Sequence, residues 1–132
     1  MHLVNPLDVA QFFVCAFFCV LFLQSGLDKV FDYKGNVGWM TPHFANSPMR
    51  SLVPTLLSVL MVMELSAGAM CGLGAVMLFM NRTVWAIFGL AIVCLVLTCL
   101  FAAQRIAKDY AGAATLATYF GVALVGLLLF AV

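Results

Sequence analysis

Apolar residues fall into four long runs, at about 7–31, 52–80, 84–109 and 112–130, and the breaks between them are short or strongly polar. A spanning helix needs about 17–25 apolar residues, so each run is long enough to cross a bilayer. Asn5-Pro6 marks the entry to the first, and Pro54 falls in the first turn of the second. Asn81-Arg82-Thr83 joins the second and third so tightly that they must be antiparallel neighbours. The pattern predicts an all-α fold: an integral membrane four-helix antiparallel bundle, forming a single transmembrane domain over residues 1–132. The remaining connection, Asp32–Ser51, holds the turn formers Gly35, Asn36, Gly38, Pro42 and Pro48 beside Tyr33, Trp39, Met40 and Phe44. It is too apolar for a solvated linker. A long interfacial loop is expected there, either folded as a lid over the bundle mouth or anchored at headgroup depth by Trp39 and Tyr33.

Composition agrees, with 66% hydrophobic and 8% charged residues and a mean hydropathy of +1.17. A net charge of +1 with no basic run gives nucleic acid nothing to bind, and the expected surroundings are a lipid bilayer. Met1–Gln11 carries no Lys or Arg and no small-residue cleavage site follows, so the first run is expected to persist as a membrane helix. Cys15, Cys19, Cys71, Cys94 and Cys99 all lie inside apolar runs and read as small hydrophobes. The two histidines, His2 and His43, lie outside those runs, so no His pair can hold haem iron in a bundle core. Neither a metal site nor an intrinsic cofactor is expected.

Within the second run one ionisable residue, Glu64, stands out. It lies roughly 18 Å along a helix begun at Leu52, near the centre of a hydrocarbon layer about 30 Å thick. A charge at that depth must face a partner, a cavity or water, and protonation is the alternative because desolvation favours the neutral acid. Gly68, Cys71, Gly72 and Ala75 follow at helical intervals as a small-residue stripe, so Glu64 is expected to point into the bundle.

Alternating helices gather the other polar residues at one end. The first helix ends in Gln24-Ser25-Gly26-Leu27-Asp28-Lys29, with Ser25 and Lys29 four apart. The third turns polar after Thr98, with Arg105 and Asp109 at the spacing of an ion pair. In the fourth, Tyr119 lies roughly 12 Å from the helix start, deep enough for its hydroxyl to meet Glu64. The expected site is a cavity open towards the long connection, with Glu64 as floor and proton-exchanging group, Gln24 and Tyr119 on the walls, and Lys29, Arg105 and Asp109 at the mouth as ligand-binding groups. By the positive-inside rule, Lys29, Lys34, Arg50, Arg105 and Lys108 place this end in the cytoplasm and both termini outside.

Leu21-Phe22-Leu23-Gln24-Ser25-Gly26-Leu27-Asp28-Lys29 resembles the F-x-x-S-G-x-x-K end of helix one in DoxX-type membrane proteins. Met63-Glu64-Leu65-Ser66-Ala67-Gly68 resembles that family's E-x-x-x-G second helix, and length and loop placement agree across nearly the whole chain. The resemblance implies a four-helix protein of the bacterial inner membrane, linked in some members to quinone-dependent thiosulfate oxidation or membrane oxidoreductase complexes. Matching positions are Gly26, Lys29, Glu64 and Gly68, with Arg105 and Asp109 fitting less closely. Two functions follow. In one, the chain is a quinone-linked redox subunit in which Glu64 exchanges protons with a bound quinone. Because no haem, iron–sulfur or flavin motif is present, electrons would come from a partner subunit. In the other, it is a non-enzymatic accessory subunit of a larger membrane complex, with Glu64 hydrogen-bonded to Gln24 or Tyr119 at about 0.6 kcal/mol to fix helix packing. A solute carrier fits less well, because no internal repeat or broken helix pair is visible.

Overall fold

A computed structural model describes residues 2–132. The chain forms α1 (Pro6–Phe31), α2 (Tyr33–His43), a short 3-10 turn (Arg50–Leu52), α3 (Val53–Leu78), α4 (Val84–Ile106) and α5 (Tyr110–Leu128). Four of these, α1, α3 with the turn leading into it, α4 and α5, are long and apolar enough to cross a membrane. No strand occurs among the described residues.

Local chemistry sets the helix ends. The Asn5 side chain accepts from Leu7 N at 3.0 Å to cap α1, and Pro6 takes the first position, where a missing N–H costs nothing. Asn81 and Lys108 adopt left-handed backbone with φ of 57° and 61°. These residues close α3 and α4 through Arg82 N to Met77 O at 3.1 Å and Asp109 N to Gln104 O at 2.9 Å.

Small residues then determine how closely the helices approach. Positions rise along α1 as they fall along α3: Phe12 meets Phe79, Cys19 meets Gly72, Leu23 meets Gly68 and Gly26 meets Leu65. A methyl group added at Gly68 would lie 2.8 Å from the backbone nitrogen of Leu23, so only glycine admits this approach. Likewise Gly74 lies against α4, where an added methyl would sit 2.6 Å from the Ala86 Cα. The predicted stripe on α3 is therefore an interface, and Gly74 extends it to a second neighbour. The main core that results includes Phe18, Phe22, Cys71, Leu90, Val93 and Leu97.

Helix α5 is the least buried of the four long helices. It joins α1 through Gln11 Nε2 donating to Leu129 O at 3.0 Å, Gly126 against Val14 and the rings of Phe17 and Tyr119 at 6.3 Å. Gly126 thus permits close packing, whereas nothing lies within 4 Å of a methyl group built on Gly121.

The structure departs from the sequence-based expectation in two places. Much of the expected loop 32–51 is helical, because α2 spans Tyr33–His43 despite Gly35, Gly38 and Pro42. Tertiary burial outweighs their weak helix propensity: Met40 and Phe44 pack on Val53, Leu57, Leu60 and Ala103 in a second core cluster. The third span ends at Ile106 rather than continuing to 109, since the chain turns at Lys108. Arg105 and Asp109 therefore no longer share a helix face.

Candidate functional site

The α1–α3 approach at Gly26 and Leu65 brings the last turns of α1 alongside the middle of α3. There Lys29 Nζ lies 3.0 Å from Glu64 Oε2 and 3.0 Å from Ser25 Oγ, which accepts from it one helical turn back. The side chains of Lys29 and Glu64 are 12% and 3% exposed. Glu64 points into the bundle as expected, but its partner is Lys29 rather than Gln24 or Tyr119. Its depth also reads differently from the two helices. It is central along α3, yet it stands level with the end of α1, because the first turns of α3 project beyond Phe31 and pack against α2.

Above this pair is a cavity of about 220 Å³ with Ser25, Lys29 and Glu64 on one side and, as its roof, Trp39, Met40 and His43 of α2 with the capping residue Phe44. His43 Nε2 lies 2.7 Å from Gln104 Oε1, so its N–H donates to the amide carbonyl. The same nitrogen lies 3.6 Å from Asp109 Oδ2, while Asp109 Oδ1 accepts from Gly112 N at 2.9 Å to cap α5. Thus His43 ties the roof to the end of α4 and the start of α5.

A second tie holds the other end of α2. Buried Asn36 donates through Nδ2 to Asp32 O at 2.9 Å and Asp28 Oδ2 at 3.4 Å, while its Oδ1 accepts from Trp39 Nε1 at 3.2 Å. A residue type that suggests a turn in the sequence is here an internal bracket between α1 and α2.

The six residues expected at the site are dispersed. Glu64 and Lys29 form its ion pair. Asp109 reaches it through His43. Arg105 is turned away, with its guanidinium 4.5 Å from the centre of the exposed Tyr110 ring, so the i, i+4 pair with Asp109 does not form. Gln24 is exposed on the outer side of α1, in a groove shared with Tyr119. Tyr119 also lines a smaller chamber with Glu64 and Ser25, without a hydrogen bond to either. Sequence reasoning missed His43, Gln104 and Asn36 as site residues. The Ser25–Lys29 spacing was the available signal for the lysine turning inward.

Chemically, the pair can hold or pass a proton and can offer hydrogen bonds to a polar ligand in an otherwise apolar enclosure. Lys29 Nζ carries three donors, of which Ser25 and Glu64 engage two. Among the described residues no group of three His, Cys, Asp or Glu side chains is placed to hold a metal ion, and no buried side-chain polar atom is without a partner. Neither a family model, nor a curated protein, nor a solved structure matches the chain.

Proposed function

We propose that the chain is a DoxX-type subunit of a bacterial inner-membrane redox assembly, an antiparallel four-helix bundle whose cavity around Glu64 receives a quinone headgroup. The observation that carries this reading is the placing of Lys29, Glu64, Ser25, His43 and Gln104 around one partly apolar space of about 220 Å³ beneath α2. A quinone ring presents carbonyl oxygens, and the third N–H of Lys29 is a donor suited to one of them. When bound, the quinone would supply the electron-accepting ring, with electrons delivered by a partner subunit docked at the polar end. Glu64 is the group that would exchange protons there, and Lys29 holds its carboxylate in place. His43 and Gln104 then lie between this pair and Asp109 at the exposed end of the bundle. By the charge rule that end is cytoplasmic and both termini lie outside.

A second reading, an accessory or assembly subunit without its own chemistry, is favoured by the completeness of the ion pair. Lys29 and Glu64 satisfy one another and join α1 to α3 without any ligand. Purification from native membrane, with identification of bound quinone and co-purifying subunits, separates the two. Quinone present in the wild type and lost in Glu64→Gln is the expected result. Normal incorporation of that variant into a larger complex, with unchanged complex activity, would instead establish the accessory role.

A further inference from the structure

Three spaces adjoin one another around Glu64. The cavity under α2 shares Ser25, Glu64, Leu100 and Leu116 with a deeper chamber of about 130 Å³. That chamber shares Leu21 and Tyr119 with an outer groove of about 620 Å³, walled by Phe13, Phe17 and Val20. The groove runs over the seam between α1 and α5, which is pinned towards its far end by Gln11 on Leu129 and by Gly126 on Val14. The charged groups lie at the inner end of this series, and the outer groove is walled by aromatic and aliphatic side chains apart from Gln24 and the Tyr119 hydroxyl. Its chemistry therefore changes from headgroup-like to tail-like along one path.

We infer that a polyprenyl quinone enters sideways between α1 and α5, with its ring at Ser25 and Glu64, where the chamber opens into the cavity that holds Lys29, and its tail in the outer groove. This rests on the headgroup reading above and adds the route and the tail site. Leu21 and Tyr119, which line both the chamber and the groove, form the doorway. The Tyr119 hydroxyl makes no hydrogen bond among the described residues, and Lys29 has one donor to spare. Those two donors suit a ring with two carbonyl oxygens. An entry beneath α2 is less suited to a long apolar tail, because the roof is fastened at both ends by Asn36 and His43. No electron transfer is part of this step, only binding.

Photolabelling of the full chain in phosphatidylcholine nanodiscs tests it. One probe is a tail-less benzoquinone carrying a ring azide; the other is a polyprenyl benzoquinone with a diazirine on its first isoprene unit. The ring probe should mark Ser25–Lys29 or the region of Glu64, and the tail probe should mark Phe13, Phe17, Val20 or Tyr119. Val20 is 70% exposed, so Val20→Trp can fill the groove without entering the core. It should cut tail labelling about tenfold, equivalent to about 1.4 kcal/mol, and leave ring labelling unchanged. Tail adducts on Trp39–Phe44 would overturn the lateral route while keeping the headgroup site. So would tail labelling that excess unlabelled polyprenyl quinone fails to compete, marking a groove filled by lipid, and so would crosslinks between two copies of the chain. Failure of the ring probe to label near Glu64 would remove the headgroup reading itself.

Discussion

Helix α1 has one neighbour it meets backbone to backbone and another it meets only in places. Towards α3, glycines at 26, 68 and 72 remove side chains from the contact, and the Lys29–Glu64 pair fastens the polar end. Towards α5, Gly126 closes one end, while Gly121 faces open space and a wide groove runs past Tyr119. Lipid tails are as apolar as the side chains they would replace, so close van der Waals packing and polar contacts hold membrane helices together. The α1–α3 seam has both along its length, whereas the α1–α5 seam has them only where Gln11 meets Leu129 and Gly126 meets Val14, and its open stretch is where the proposed ligand would enter.

The sharpest way to break that contrast is to remove half of the clasp. Lys29→Met should leave Glu64 buried without its counter-charge and lower stability by about 3–5 kcal/mol, read from denaturant-induced unfolding in detergent micelles. Adding Glu64→Gln should recover part of that loss. If the two losses simply add, the pair does not couple the helices. Next in size is Gly68→Ala, whose new methyl meets Leu23 at 2.8 Å and should cost about 1–3 kcal/mol in the same assay. His43→Ala should cost about 1 kcal/mol and act locally, raising amide exchange across α2 while the exchange of α3 stays near its wild-type rate. Smallest, and of opposite sign, is Gly121→Ala. Its methyl meets nothing, so better helix propensity should stabilise the chain by about 0.5–1 kcal/mol. If Gly68→Ala and Gly121→Ala shift stability in the same direction, the two seams are not built differently.

The features legible in the sequence were those imposed by periodicity and burial cost. Four apolar runs gave four spans, and the isolated carboxyl of Glu64 with glycines one and two turns later gave an inward-facing, closely packed surface. Composition hid α2, because Gly35, Gly38 and Pro42 are ordinary turn residues and only the burial of Met40 and Phe44 against α3 and α4 makes them helical. The Arg105–Asp109 pairing failed for a related reason: it assumed a continuous helix through Lys108, which adopts left-handed backbone although it is not glycine. Lys29 as the partner of Glu64 depended on the stagger between α1 and α3. Counting depth separately along each helix could not supply that stagger, since α3 extends past the end of α1 by its first turns.

The ion pair also has an electrical consequence. A transmembrane potential acts on net charge, at about 2.3 kcal/mol per elementary charge per 100 mV for a full crossing. Lys29 and Glu64, with opposite charges 3.0 Å apart, together present only a small dipole to that field. In a bilayer the voltage therefore does little work on the site while both groups are ionised. In Glu64→Gln the ammonium of Lys29 would be left as an uncompensated positive charge, and the energy of that variant would depend on the membrane potential.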